Sequence, residues 1–300
     1  MRILVTGSSG LIGSALVPFL TSQGHQVVRL VRPGKASGED VAVWDPDAGK
    51  LDAHALEQLD AVVHLAGENI AAGRWTESVK KRIRESRVRG TALLSETLAS
   101  LAAPPRVMTA ASAVGYYGSR GDEVLTEESL PGSGFLAEVA KEWEGATGPA
   151  RRKGIRVVNL RTGMVLSGKG GALKAMLPAF KTGAGGKLGD GKQYVSWIAI
   201  DDLVRAIAHA IVTESLSGPV NAVSPNPVRN AEWTEILGKV LGRPTLLAMP
   251  APLVRLIFGE MADALLLASQ RVEPRRLLAS GFTFEFPDLE PALRHVLGMQ

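Results

Sequence analysis

The chain contains no cysteine, which excludes a disulfide framework, a thiolate nucleophile and any cysteine-ligated metal. Aromatic residues are scarce, 5% of 300 residues, and only three tyrosines and five tryptophans join the seven phenylalanines to shape a ligand pocket. No sign of charge dominates. The 34 basic and 30 acidic residues are spread along the chain, and their balance of +4 is too mild for a nucleic-acid partner. No apolar run approaches the ~20 residues that a membrane span requires. The opening MRILVTG lacks the charged-then-apolar order of a secretory signal, so a cytoplasmic protein without membrane association is expected. No two of the five histidines stand at metal-ligand spacing, so no metal site is expected, and His64 inside an apolar strand reads as core.

What is present is apolar mass, 45% of the residues, and a clear rhythm. Short β-branched runs alternate with helical patterns through the first half, which predicts a parallel sheet covered on both faces. Strands are expected at Arg2–Thr6, Gln26–Val31, Val41–Trp44, Asp60–Leu65, Arg106–Ala111 and Arg156–Arg161. Helices are expected at Leu11–Gln23, near Ala53–Gln58, across Thr76–Leu101 and over Phe135–Lys153. Beyond Arg161 come Gly-rich loops around a helix at Ala172–Phe180, a strand VSWIAI, a helix at Asp201–Thr213 and a strand at Pro219–Ala222. From Asn226 the pattern is mostly helical and punctuated by proline. The fold class is therefore α/β: a doubly wound parallel sheet, or Rossmann fold, with a smaller helical C-terminal lobe. Residues 1–225 are assigned to the nucleotide-binding domain, including a cleft-forming insert at 166–195, and 226–300 to a substrate or cap lobe.

MRILVTGSSGLIG is the strongest local signal, because an apolar strand runs into Gly7, Gly10 and Gly13 and an apolar helix starts there. Such glycines permit a tight turn, close approach of a pyrophosphate and close helix–strand packing, with the helix N-terminus facing the phosphates. Thr6, Gly7, Gly10, Leu11, Ile12 and Gly13 are the first cofactor-binding candidates. An acid at the end of the second strand would accept from a ribose 2′-hydroxyl, whereas an arginine accommodates a 2′-phosphate. Here Arg32 stands at the tip of VVRLVRPGK and no acid follows until Glu39, which favours NADP(H) over NAD(H). Asp45, past the third strand, is a candidate for the adenine.

TGSSGLIG, VVHLAGENI, SRVRGT and SAVGYYG follow one another in an order that resembles the extended short-chain dehydrogenase/reductases. The resemblance is closer to an atypical branch of epimerase/dehydratase-like "epimerase family" proteins. Its marks are LAGENI with GRW, FLAEV with KEWE, RTGMVLSGKGGAL, GGKLGDGKQYVSWI and RVEPRRLLASGFTFEFPDLEPAL, which together span nearly the whole chain. The resemblance implies an NADP(H)-binding Rossmann domain and a C-terminal lobe closing over a substrate cleft. It adds Leu65, Ala66, Gly67, Arg82, Arg87 and Val165 as cofactor-side positions. A homodimer through the long helices is also implied, although the basic surface of Thr76–Leu101 opposes it.

Typical superfamily members use a serine, a tyrosine with a lysine four residues on, and an asparagine on the long helix. In this chain Ser112 matches the serine, with one extra residue before Tyr117-Gly118. Aligning Glu144 with the glutamate that often follows the motif puts Leu136 at the tyrosine position and Ala140 at the lysine position. An alignment shifted by one brings in Lys141 but puts Ala137 at the tyrosine position, so the tyrosine is missing either way. Lys141 lies ~100° further round the helix and off the sheet-facing stripe. Arg87 stands for the asparagine; a phosphate, a ribose, an anionic substrate or the Glu68 carboxylate would each serve as its partner. Glu68, in LAGEN, and Tyr116 are candidates for the acid/base work the missing pair would have done.

Two readings follow. One is an NADP(H)-dependent oxidoreductase or epimerase-like enzyme acting on a small hydroxyl- or carbonyl-bearing substrate. The other is a non-catalytic NADP(H)-binding sensor or interaction scaffold. The substrate is not legible.

Overall fold

The computed structural model describes every residue except Ala36, Ser37, Glu39, Ala72 and Gln300, so the acid at 39 lies outside the described residues. Two compact units alternate along the chain. The first comprises Met1–Ser112, Val139–Leu160 and Val204–Val220, the second Ala113–Glu138, Arg161–Leu203 and Asn221–Gln300.

The first unit is built on strands β1 (Arg2–Thr6), β2 (Gln26–Val31), β3 (Val41–Asp45), β4 (Lys50–Leu51), β5 (Ala61–His64) and β6 (Val107–Ala113). With Arg156–Thr162 and Gly218–Ala222 they make an eight-stranded sheet. Its order is Gly218–Ala222, Arg156–Thr162, β6, β5, β1, β2, β3, β4. β1 runs parallel to both β2 and β5, while β4 turns back antiparallel on β3. The order reverses beside β1, so the switch point of this doubly wound sheet lies where β1 and β5 end. Strands covered on both faces have no polar side to show, which is why Ile3, Leu4, Val5, Ala61, Val62 and Val63 are all fully buried.

Helix α1 (Leu11–Ser22) follows the Gly-rich loop, and α2 (Glu77–Ser100) is capped by Thr76, whose hydroxyl accepts the Val79 N–H at 3.3 Å. The buried face of α2 carries Ile83, Gly90, Thr91, Leu94, Ser95 and Leu98. Gly90 lets the Trp44 ring pack close against α2, since a Cβ would lie 3.3 Å from that ring. The single helix expected over Phe135–Lys153 is two: α3 (Phe135–Gly145) and a short helix at Gly148–Arg152. Pro149 has no N–H to continue the ladder of α3, and it stands instead in the first turn of the next helix, where no N–H partner is needed.

In the second unit, helices at Gly171–Lys181, Asn230–Leu241 and Leu289–Leu297 pack around Trp197, Trp233 and Leu293. The expected strand VSWIAI is interrupted at Ser196, and the next helix begins already at Ile200. Pairing changes partner at that residue: Tyr194–Val195 runs antiparallel to Val228–Arg229 and Trp197–Ala199 parallel to Met164–Leu166. The Ser196 hydroxyl donates to the Gln270 carbonyl at 2.7 Å and accepts the Val272 N–H at 3.0 Å. From Asn226 the chain is mostly helical, as the pattern indicated.

Candidate functional site

At the switch point each glycine of the loop answers a different demand. Gly7 has φ +65°, and a Cβ there would sit 2.8 Å from the Leu65 carbonyl carbon. At Gly13 a Cβ would fall 2.3 Å from the Gly7 oxygen, so no side chain fits unless the loop moves. Gly10 is different: its Cβ would meet only the Gly7 oxygen, at 3.2 Å. Gly10 is the N-cap of α1 and offers no side-chain cap, and no acid stands in the first turn. The leading N–H groups of α1, among them those of Leu11 and Ile12, thus have no side-chain acceptor, which fits a pyrophosphate.

A buried chain of hydrogen bonds fixes this loop from behind. The Thr6 hydroxyl accepts the N–H groups of Leu65 and Ala66 at 3.0 and 3.1 Å. Both its lone pairs are then used, so its own proton goes to His64 Nδ1 at 2.8 Å. That makes His64 a neutral imidazole with its proton on Nε2, which donates to the Thr91 hydroxyl at 2.9 Å. Thr91 also accepts the Trp143 indole N–H at 2.9 Å, joining α2 to α3. Burial alone pushes the His64 imidazole down to about 4.

Arg32 follows β2 and pairs with Asp47 at 3.1 Å. Asp45 ends β3 and closes a turn, its Oδ1 accepting the N–H groups of Asp47 and Ala48. Beyond β5, Arg87 lies against the bare backbone of Gly67, where a Cβ would be 3.3 Å from its Cζ. Its guanidinium donates to the carbonyls of Glu68 and Ile83 at 3.0 and 3.1 Å and stands 5.0 Å from the Trp143 ring centroid. Burial lowers its pKa to about 10, with the Glu68 charge opposing the shift. The Glu68 carboxylate instead reaches Arg82, at 3.3 Å. Arg87 thus clamps the loop after β5 through carbonyls, an acceptor type the sequence does not advertise.

Ser112 is buried, and its hydroxyl donates to Glu144 Oε1 at 2.7 Å. On α3, Leu136 packs on Gly115, where a Cβ would be 3.3 Å from the leucine Cβ. Ala140 is buried while Lys141 is exposed, so no ammonium stands on the inner face of this turn. Glu144 was not among the site candidates, although it sits one turn after Ala140 on the same stripe.

Tyr116 and Val165 belong to the second unit. The Tyr116 ring is covered by the Arg161 guanidinium, 3.5 Å from its centroid. Arg161 also donates to the Tyr117 hydroxyl at 3.0 Å, and that hydroxyl donates to Asn221 Oδ1 at 2.7 Å. Burial pushes the Tyr117 phenol up to about 12. Tyr117→Phe should destabilise the protein by about 1–3 kcal/mol in urea titrations, because it strips a partner from two buried polar groups. An unchanged midpoint would mean that the phenol is not engaged. Val165 lies in a short strand paired with Trp197–Ala199.

Among the described residues no group of histidine and carboxylate side chains could hold a metal, and no helix is long and apolar enough to cross a membrane.

A doubly wound sheet with this glycine loop at its switch point defines a dinucleotide-binding protein class. The chain belongs to the NAD dependent epimerase/dehydratase family, which it matches over residues 3–222, and residues 249–296 match a domain of unknown function, DUF1731. An epimerase family protein of Mycobacterium tuberculosis is 47% identical over 291 residues, 97% of this chain and 96% of the relative. A chloroplastic homologue of epimerase family protein SDR39U1 from Arabidopsis thaliana is 38% identical, over 99% of this chain and 87% of its own length. The crystal structure of human epimerase family protein SDR39U1 with NADPH superposes with a TM-score of 0.90 at 35% identity, covering 99% of each chain.

Proposed function

We propose that the first unit binds NADP(H), and that the protein is an oxidoreductase or epimerase-like enzyme for a small hydroxyl- or carbonyl-bearing substrate. The observation that carries the cofactor reading is the glycine loop, with two glycines locked by steric contact and the third leaving the α1 N-terminus open. Arg32 at the tip of β2 supports the 2′-phosphate form, and so does the NADPH bound by the human relative. When bound, the nicotinamide supplies or accepts a hydride. Around it Gly7, Gly10 and the first turn of α1 would hold the pyrophosphate, while Arg87 keeps the Gly67–Glu68 backbone in place.

A second reading, a non-catalytic NADP(H) sensor, is favoured by α3. Leu136 and Ala140 stand where a phenol and an ammonium would be needed, and the Ser112 proton is already given to Glu144. A positioned acid/base contributes about 10²–10⁴-fold in rate, so its loss demands another donor or slow chemistry.

Arg32→Asp should weaken NADPH at least tenfold and NADH much less, read by calorimetry; equal losses would remove the 2′-phosphate assignment. A carbonyl panel with NADPH, run against a Gly10→Asp control, separates the two readings. Tight NADPH binding without turnover above the control would favour the sensor.

A further inference from the structure

The arginine assigned to the 2′-phosphate does not stand alone. Its Nη1 donates to Asp47 Oδ2 at 3.1 Å. Asp47 is delivered to it by the backbone: Asp45 Oδ1 takes the N–H groups of Asp47 and Ala48 at 3.1 and 3.0 Å, and Pro46 between the two acids is buried. This is an Asx-type turn, which sets the position of the second carboxylate without help from a long side chain. β2 lacks an acid at its tip, yet the turn after β3 brings one to the same guanidinium.

We propose that Asp47 tunes cofactor choice, by competing with a 2′-phosphate for Arg32 and by offering its carboxylate to the 2′-hydroxyl of NAD(H). The proposal rests on the reading of Arg32 as the 2′-phosphate residue. A guanidinium holds a phosphate ester and a carboxylate with the same donors, so the two anions cannot both use Arg32 fully. The ester carries about −1.5 to −2 at neutral pH, and it must displace Asp47 or lie beside it. NAD(H) meets neither cost, because its hydroxyl can donate to the carboxylate. Both side chains are more than half exposed, so screening keeps the effect moderate and salt-sensitive. The pair makes the site tolerant of both cofactors, with a smaller NADP(H) preference than Arg32 alone would give.

The experiment is a fluorescence titration of the full chain with NADPH and with NADH, for the wild type, Asp47→Asn and Arg32→Asp. Asp47→Asn should tighten NADPH about three- to tenfold and weaken NADH, the gain should shrink as ionic strength rises, and unchanged NADH would remove the contact with the 2′-hydroxyl. An unchanged NADPH-to-NADH ratio in Asp47→Asn, with a changed ratio in Arg32→Asp, overturns the role of Asp47 and leaves the Arg32 reading standing. If Arg32→Asp also leaves the ratio unchanged, the 2′-phosphate assignment falls first and the proposal with it. Asp47 is exposed and outside the core, so its variant folds and each outcome can be read.

Discussion

Gly13→Ala should weaken NADPH binding about a hundredfold or more and cost about 1–3 kcal/mol of stability, whereas Gly10→Ala should lose affinity with almost no change in stability. The difference comes from where each new methyl points. At Gly13 it meets the Gly7 oxygen at 2.3 Å and the Ser8 Cα at 2.7 Å, both backbone atoms that can yield only if the whole turn shifts. That shift moves the N–H groups of α1 away from a pyrophosphate. Losing two charge-assisted hydrogen bonds removes about 3 kcal/mol or more, roughly a hundredfold in affinity. At Gly10 the methyl touches only the Gly7 oxygen at 3.2 Å, so the free protein accommodates it and the clash arises when a phosphate approaches. Thermal melts and NADPH titrations on both variants separate the roles. Equal stability losses would show that Gly10 serves the turn and not the ligand.

The glycines were legible in the sequence because Gly10 and Gly13 answer to residues a few positions away and Gly7 to its own positive φ, although the Leu65 backbone that also crowds Gly7 is distant in sequence. The alternation of strands and helices was legible for the same reason, and so was the gap on α3, since helical periodicity fixes which of Leu136, Ala140 and Lys141 faces inward. What the sequence concealed is long-range. Thr6 reads as a cofactor-side residue and His64 as an ordinary core histidine, but they are 58 residues apart and share one hydrogen bond. Arg161 sits in the run VVNLRT and looks like a strand-end residue, yet it is 3% exposed and bonded to Tyr117, 44 residues earlier. Arg87 clearly needed partners, but the partners turned out to be backbone carbonyls, which carry no side-chain signature. The breaks before Pro149 and at Ser196 show two ways a periodic pattern misleads: a missing N–H, and a run whose two halves pair with different strands.

These long-range contacts bear on the cofactor site through the fully buried His64 behind it. Lowering the pH from 7 to 4 should cost the wild type about 3 kcal/mol of stability through His64 alone, the consequence of a folded pKa near 4 against 6.5 in the unfolded chain. Between those two values the unfolded state takes up a proton that the folded state refuses, so unfolding becomes easier as the pH falls. The contribution is fully present above 6.5 and is lost progressively down to about 4. His64→Gln isolates it, because the amide oxygen can accept from Thr6 and its nitrogen can donate to Thr91, yet nothing titrates. The wild-type stability minus that of the variant, from urea unfolding at each pH, should fall by the same amount across this window. A difference that stays flat would mean the imidazole titrates equally in both states. Forced protonation also has a directional effect. A proton on Nδ1 needs an acceptor, but the Thr6 hydroxyl already receives the N–H groups of Leu65 and Ala66, the segment on which Gly7 closes. NADPH affinity should therefore drop further in the wild type than in His64→Gln at low pH, since protonation of the 2′-phosphate weakens the ligand equally for both.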